Sequence, residues 1–270
     1  MNADSQVSPS AELKSCCAAV YQSDFARLLL GDSFHPGGLG LTKRLGELLA
    51  LSPRDHVLDV ACGRGESAIF LAGQFGCRIT GIDLGAANID HARARAEASN
   101  VATLVRFNLG DGEHLDYPDA SFDAVLCECA FCTFPDKRAA AREFARVLCP
   151  GGKLGLSDLT RSGALPSELN GLLAWIACIG DARAATEYAQ YFETAGFESI
   201  LIETHDDALT QMVRDIQGRL LAAELMVKLE KLNLPGVDFN QAKRMAGHAV
   251  DAVRSGLLGY SLITASKPCG

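Results

Sequence analysis

Short apolar runs alternate with amphipathic stretches along most of the chain. Apolar runs bounded by turn residues are typical of buried strands, whereas apolar positions three or four residues apart are typical of helices that bury one face. The runs predict strands over residues 56–61, 78–82, 103–108, 121–128, 153–158, 197–204 and 259–268. The amphipathic stretches predict helices over residues 39–49, 66–75, 86–99, 137–148, 165–178, 184–195, 208–232 and 241–255.

The order of these elements predicts an α/β fold. Strands that alternate with helices form a parallel sheet with helices on both faces. The strands are parallel because each right-handed crossover returns the chain to the end of the sheet where the preceding strand began. We expect three units: an N-terminal helical lid over residues 1–50, a sheet core over 51–205 together with 257–268, and a helical cap over 206–256, inserted before the last strand.

Composition and charge narrow the class of function. Of the 270 residues, 48% are hydrophobic and 21% are charged, as expected for a packed globular core. The net charge of −8 supplies no basic surface for nucleic acid. The N-terminal residues MNADSQVSPSAELK lack the layout of a signal peptide, and no apolar run approaches the roughly 20 residues of a membrane helix. We therefore expect a cytoplasmic protein that acts on a small molecule, with neither a membrane nor nucleic acid as partner; the oligomeric state stays open.

A glycine-rich loop follows the first predicted strand. It reads DVACGRG from Asp59 to Gly65, and the pattern G-x-G-x-x-A continues into a predicted helix. Glycines let a backbone turn tightly and approach a ligand, although a plain tight turn would use the same residues. Asp83 and Asp111 follow the next two strands. Carboxylates at these strand ends can accept the hydroxyls of a ribose and the amino group of an adenine, so the sequence predicts a nucleoside site.

The segments LDVACGRG, GIDLG, NLGDGEHL, SFDAVLCECA and RVLCPGGKLGLSD resemble the class I methyltransferase superfamily. They extend from about Val57 to Asp158. The resemblance implies a Rossmann-like seven-stranded sheet of order 3-2-1-4-5-7-6 with an antiparallel seventh strand, and it implies S-adenosyl-L-methionine as the cofactor. Ala61 departs from the superfamily, which often has glycine at that position.

The same resemblance assigns cofactor contacts to the strand ends. A nicotinamide-dependent dehydrogenase would use a similar loop, but no Tyr-x-x-x-Lys pair follows the fourth strand to act as acid and base. The residues that the resemblance places at the cofactor are Asp59, Ala61, Cys62, Gly63 and Gly65 in the loop, Asp83, Leu84 and Asn88 after the second strand, Asp111, Gly112 and Glu113 after the third, and Cys127 and Glu128 at the end of the fourth.

Ten cysteines are many for a chain of this size, and three lie together in CECAFC. The pattern C-x-C-x-x-C binds metals, but structural zinc sites usually pair two such clusters and no second cluster is present. Cysteine also packs as a small apolar residue. Cys127 and Cys129 share a face only if the fourth strand continues past its predicted end, and Cys132 requires a turn.

Three further segments resemble arsenite methyltransferases. DAVLCECAFCTFPDK places Cys129 at the position of a family cysteine, LAWIACIGDA places Cys178 at a second, and AELKSCC offers Cys16 or Cys17 as a third. The resemblance implies that these thiolates form a pyramidal site for trivalent arsenic, a soft centre that suits sulfur ligands. Each of these cysteines can also be an ordinary packing residue.

These patterns support one hypothesis and leave two alternatives. The hypothesis is an S-adenosylmethionine-dependent methyltransferase whose cysteine thiolates hold or flank a small soft nucleophile, either arsenite or a sulfide, thiol or selenium species. The first alternative is a small-molecule O-, N- or C-methyltransferase in which the cysteines are bystanders. The second is a non-catalytic sensor of metalloids or redox state on the same fold.

A turn before the first predicted helix is a weaker candidate for a contact with the cofactor. His35 precedes Pro36, Gly37 and Gly38 in this turn. The turn either lies over the cofactor or simply begins the helix.

Overall fold

The computed structural model of the chain describes residues 35–165, 169, 179–234 and 237–270. The helices within these ranges are α1 (Gly38–Leu48), α2 (Glu66–Phe75), α3 (Ala86–Glu97), α4 (Lys137–Val147), α5 (Ala185–Thr194), α6 (Asp206–Lys228) and α7 (Phe239–Arg254). The strands are β1 (His56–Val60), β2 (Arg78–Asp83), β3 (Val105–Leu109), β4 (Phe122–Glu128), β5 (Leu148–Arg161), β6 (Glu198–Thr204) and β7 (Leu258–Ser266). A short 3₁₀ turn, Phe131–Thr133, leads from β4 towards α4.

All seven predicted strands are present, and most of their ends differ from the prediction by one or two residues. The largest difference is β5, which was expected over 153–158 and extends over Leu148–Arg161. It is longer because β7 pairs with it as far as Arg161, while a register shift against β4 accommodates the turn residues at its start. The predicted helix over 165–178 and the lid before residue 35 lie outside the described residues, apart from residues 165 and 169.

The strand order is β3-β2-β1-β4-β5-β7-β6, which confirms the predicted topology. Strands β1 to β5 are parallel, and β7 is antiparallel to both β5 and β6. The carboxyl ends of β1, β2 and β4 therefore meet at one edge of the sheet. In open α/β sheets, ligands bind in the crevice outside this edge.

Apolar residues cover both faces of the sheet. On one face, α1, α2 and α3 bury side chains such as Leu45, Leu71 and Ile89. On the other, α4 and α5 contribute a larger cluster that includes Phe144 and Phe192. Burying one such side chain contributes roughly 1.5–3 kcal/mol, so these two layers fix the positions of the strand ends.

Two helices occupy the segment that is expected to form the cap. Helices α6 and α7 pack against each other and against β7. Within the part of the chain that the structure describes, no helix combines the length and apolar character needed to cross a membrane.

Candidate functional site

The loop after β1 turns through left-handed backbone conformations. Ala61, Gly63 and Gly65 have φ angles of 59°, 53° and 75°. Gly65 also lies close to its neighbours, because a Cβ there would meet the ring of Phe107 at 2.5 Å. Gly65 is the N-cap of α2 and has no side chain to satisfy the first amides of the helix. These amides are therefore available to a ligand at the carboxyl edge of the sheet.

Asp83, at the end of β2, holds this loop in place. Its Oδ2 accepts the Gly63 N–H at 3.0 Å, and its Oδ1 accepts the Gly85 N–H at 2.7 Å and the Asn88 side-chain amide at 3.1 Å. Burial raises the pKa of this carboxyl, and the three hydrogen bonds oppose that shift. The predicted ribose carboxylate thus also connects the loop to the start of α3. Asn88 is buried, and its Oδ1 has no hydrogen-bond partner.

Asp59 is a buried carboxyl without a full set of partners. It is 2% exposed, and its Oδ2 accepts no hydrogen bond. Burial, together with the charges of Glu128 and Asp83, raises the pKa of Asp59 well above its ordinary value. Three carboxyl groups from the ends of β1, β2 and β4 therefore come together. We name Asp59, Asp83 and Glu128 the carboxylate cluster.

Glu128 is surrounded by hydroxyl groups. Thr42 on α1 donates to both of its carboxylate oxygens, at 3.2 and 3.1 Å, and Ser157 on β5 donates to Oε1 at 3.4 Å. The hydroxyl of Tyr260 on β7 in turn donates to the Ser157 hydroxyl at 2.9 Å. His35 completes the group, with its Nε2 3.8 Å from Glu128 Oε2. The side chains of His35 and Glu128 are only 8% and 5% exposed, so this pair is screened little by water.

The turn after β3 is held by its own contacts. Asp111 Oδ1 accepts the Glu113 N–H at 3.0 Å, and Glu113 Oε1 accepts the Asp136 N–H at 2.7 Å. A Cβ on Gly112 would lie 2.9 Å from the ring of Phe134, so this ring packs directly over the turn. The Glu113 carboxylate thus binds the segment before α4.

Two apolar side chains next to these predicted contacts are exposed. Leu84 after β2 is 46% exposed and Leu109 at the end of β3 is 60% exposed. Exposed leucines at the end of β3 and next to Asp83 are suitable contacts for the apolar faces of an adenine.

The described cysteines do not form one cluster. The thiols of Cys62 and Cys127 are buried in the core, and burial raises the pKa of each well above its ordinary value. A ligand at the loop or at the end of β4 would therefore meet their backbone. Cys132 is buried, and its N–H donates to Asp158.

Cys129 is half-buried, and its backbone departs from the strand. Its φ is 51°, and its N–H donates to the Ser157 carbonyl at 2.7 Å. Strand β4 ends at Glu128, so Cys127 and Cys129 do not share a strand face. Cys16, Cys17 and Cys178 lie outside the described residues. Among those that are described, no group of three His, Cys, Asp or Glu side chains could hold a metal ion.

Sequence reasoning missed most of the residues around Glu128. Thr42, Ser157 and Tyr260 lie on α1, β5 and β7. Ser157 falls within the segment RVLCPGGKLGLSD, but no residue pattern assigned a role to any of the three. One sequence feature could have pointed to Thr42. This feature is the turn before α1, because His35 and the glycines after it begin the helix that carries Thr42.

Comparisons with known proteins identify the family of the chain. The methyltransferase-domain family matches residues 58–156. The chain is 32% identical over 240 residues to methyltransferase GfsG of Streptomyces halstedii, covering 88% of this chain and 83% of that protein. It is 33% identical over 232 residues to 27-O-demethylrifamycin SV methyltransferase of Amycolatopsis mediterranei, covering 84% and 83%.

A solved structure shares the fold. Phosphoethanolamine N-methyltransferase 2 of Haemonchus contortus, in complex with S-adenosyl-L-methionine, matches with a TM-score of 0.78 and 17% identity, over 99% of this chain and 61% of that one. The domain match and the two curated relatives carry the family assignment. The chain belongs to the class I S-adenosylmethionine-dependent methyltransferases, and S-adenosyl-L-methionine is its methyl donor.

Proposed function

We propose that this enzyme methylates a hydroxyl group of a small organic molecule. The observation that carries the proposal is the buried pair of His35 and Glu128, with Nε2 and Oε2 3.8 Å apart beside the carboxylate cluster. An oxygen acceptor needs a base to take its proton, and an imidazole backed by a carboxylate is a common general base. The A. mediterranei relative is named as an enzyme that methylates an oxygen, since its substrate is 27-O-demethylrifamycin SV.

The carboxylate cluster fits the methyl donor by charge. Among the described residues, no Lys or Arg lies within ion-pair distance of Asp59, Asp83 or Glu128, and the only basic group at that distance is the imidazole of His35. A buried carboxylate is costly unless it is paired or protonated. S-adenosylmethionine has two positive groups, its ammonium and its sulfonium. The unpartnered Oδ2 of Asp59 is therefore the atom that the fold leaves available for a cation.

The residues that would hold the donor follow from their positions. The backbone of the loop around Gly63 and Gly65 would face its methionine portion, Asp83 would accept its ribose hydroxyls, and Asp111 would accept its adenine amino group. When bound, the donor supplies a methyl group that is already activated on a sulfonium. Glu128 would face this positive sulfur from the end of β4.

The chain's own residues then move the proton. His35 accepts the proton of the acceptor hydroxyl while the new carbon–oxygen bond forms and the carbon–sulfur bond breaks. Glu128 stabilises the resulting imidazolium, and Thr42 holds Glu128 through one hydroxyl hydrogen that is shared between the two carboxylate oxygens. General-base catalysis of this kind contributes about 10²- to 10⁴-fold in rate.

An uncharged acceptor fits these surroundings better than a phosphorylated amine. The groups that contact Glu128 are the hydroxyls of Thr42 and Ser157 and the imidazole of His35. A phosphate is recognised by Arg, Lys or a cluster of backbone amides. In the described part of the chain, no Arg or Lys forms an ion pair with Glu128 or Asp59, so an anionic acceptor would add repulsion here.

Methylation of arsenite or another soft acceptor is the second candidate. It rests on Cys129, because Cys16, Cys17 and Cys178 lie outside the described residues. A left-handed φ of 51° costs roughly 1–2 kcal/mol for a residue with a Cβ, and such strain concentrates at functional sites. The relatives named above lend no support to an arsenic or thiol acceptor, so this candidate stays a prediction.

The test is an acceptor panel of phenols, aliphatic alcohols, phosphoethanolamine, arsenite and methanethiol, with S-adenosylhomocysteine formation as the readout. We expect transfer to a phenol or alcohol, and a loss of 10²-fold or more in His35→Gln while calorimetric affinity for the donor stays within threefold. His91→Gln is the matched control, because His91 is exposed on α3.

Three outcomes would contradict the proposal. One is the absence of transfer to every phenol and alcohol by protein that binds the donor. Another is transfer confined to arsenite or methanethiol and abolished by Cys129→Ser, which would establish the second candidate. Arsenite binding without any methylated product would indicate the sensor.

A further inference from the structure

A chain of two hydroxyl groups reaches Glu128 from the neighbouring strands β5 and β7. Tyr260 Oη donates to Ser157 Oγ at 2.9 Å, and Ser157 Oγ donates to Glu128 Oε1 at 3.4 Å. The three residues lie on β7, β5 and β4, which are neighbours in the sheet. The mechanism above uses Glu128 but neither of the two hydroxyls behind it.

The register of the strands explains this contact. Glu128 is paired with Ser157 across β4 and β5, and Leu159 is paired with Tyr260 across β5 and β7. Ser157 is therefore the diagonal neighbour of Tyr260. Diagonal neighbours in a sheet are about 7–8 Å apart, a distance that a tyrosine side chain can span.

Burial fixes the direction in which the chain donates. Tyr260 and Ser157 are 0% exposed, so water does not compete for either hydroxyl. Burial and the nearby charges of Cys129 and Glu128 raise the pKa of Tyr260 well above its ordinary value, so its hydroxyl keeps its proton. Because Tyr260 donates to Ser157, the proton of Ser157 is directed to Glu128.

We propose that Tyr260 is a positioning residue that acts through Ser157 to hold the Glu128 carboxylate towards the sulfonium of the methyl donor. The proposal deepens the function given above and rests on the role of Glu128 there. S-adenosylhomocysteine has a neutral sulfur in place of the sulfonium. The preference of the protein for S-adenosylmethionine over S-adenosylhomocysteine therefore depends on where the Glu128 carboxylate lies. It can be measured without a methyl acceptor.

The test is calorimetric titration of each variant with both ligands. We expect Tyr260→Phe to weaken the binding of S-adenosylmethionine about threefold to tenfold, the range for one lost hydrogen bond. The affinity for S-adenosylhomocysteine should change less than twofold. Ser157→Ala should have the same effect. The double variant should bind no more weakly than Ser157→Ala, because residues of one chain of hydrogen bonds are not additive. Ser157→Thr keeps the hydroxyl and should restore most of the preference.

Tyr188→Phe is the matched control. Tyr188 is also 0% exposed, and its hydroxyl donates to the Leu159 carbonyl at 3.1 Å, without a contact to Glu128. This variant should lower thermal stability as Tyr260→Phe does and leave the ratio of the two affinities unchanged. If Tyr260→Phe does not fold, the comparison of Ser157→Ala with Ser157→Thr carries the test.

The outcomes separate this inference from the proposed function. The positioning role would be overturned if the ratio of the affinities for S-adenosylmethionine and S-adenosylhomocysteine in both Tyr260→Phe and Ser157→Ala equals that of the wild type. It would also be overturned if Tyr188→Phe changes this ratio as much as Tyr260→Phe does. If Glu128→Gln shifts the ratio while Tyr260→Phe does not, only the present inference fails. If Glu128→Gln itself leaves the ratio unchanged, the role of Glu128 towards the sulfonium fails as well.

Discussion

The buried Lys137 and the half-buried Asp181 form an ion pair of 2.6 Å that joins the turn after β4 to the segment before α5. The ammonium of Lys137 also donates to the carbonyls of Cys132 and Phe134, at 2.9 and 3.0 Å. All three of its donors are therefore used. Because these carbonyls lie in the turn that follows Cys129, Lys137 holds the wall of the site next to the end of β4.

Lys137→Met should destabilise the protein by about 2–4 kcal/mol, the cost of leaving buried acceptors unsatisfied. The side chain of Lys137 is 4% exposed, and its removal leaves the two carbonyls of the turn without this donor. Within the described part of the chain, the Asp181 carboxylate then keeps only its ion pair to Arg183. The measurement is urea denaturation followed by circular dichroism. Lys267→Met is the matched control, because the ammonium of Lys267 donates, among the described residues, only to the Leu148 carbonyl, at the opposite end of the sheet. Its loss should cost about 1 kcal/mol. Equal losses in the two variants would contradict the special role of Lys137.

The sheet and the glycine loop could be predicted because their signals are local. Apolar strands alternate with amphipathic helices along the chain, and the residues from Asp59 to Gly65 form one continuous motif. Asp83 could be placed for the same reason, since it directly follows a recognisable strand.

The surroundings of Glu128 could not be predicted in this way. Thr42 reaches Glu128 through the packing of α1, and Tyr260 reaches it through the register of the antiparallel β7. Neither contact corresponds to a recognisable spacing of residues in the sequence. The left-handed conformation of Cys129 was equally hidden, because the residue pattern predicts the end of β4 at Glu128 but not the backbone angles of the residue that follows it.

Affinity for S-adenosylmethionine should rise with pH as Asp59 ionises. Burial raises the pKa of Asp59 well above its ordinary value of 3.8, and a cation beside it favours the charged form. Binding should therefore release a proton at pH values between the lower pKa of Asp59 in the complex and its raised pKa in the free protein, and release none above the raised pKa. Titration calorimetry in two buffers of different ionisation enthalpy measures this release directly. Asp59→Asn should bind more weakly and without the pH-dependent release.

The same shift has the opposite sign for folding stability. A carboxyl whose pKa is raised in the folded state binds protons more tightly there than in the unfolded chain, so its contribution falls as the pH rises above 3.8. Asp59→Asn should consequently be more stable than the wild type near neutral pH. A variant that is less stable and keeps the proton release would show that another group titrates.

Two glycines of the loop should differ sharply in their tolerance of a methyl group. Gly63 and Gly65 both have a positive φ, so alanine at either position costs roughly 1–2 kcal/mol in backbone strain. A Cβ on Gly63 would meet nothing within 4 Å, whereas one on Gly65 would lie 2.5 Å from the ring of Phe107 and 2.9 Å from the Cβ of Ala92. Overpacking of this kind adds about 1–3 kcal/mol and moves the start of α2. We therefore expect Gly65→Ala to lose measurable affinity for S-adenosylmethionine and Gly63→Ala to retain it within about tenfold. Thermal melts with and without the ligand test both variants, and a ligand-induced shift in Gly65→Ala as large as in the wild type would contradict this account of the loop.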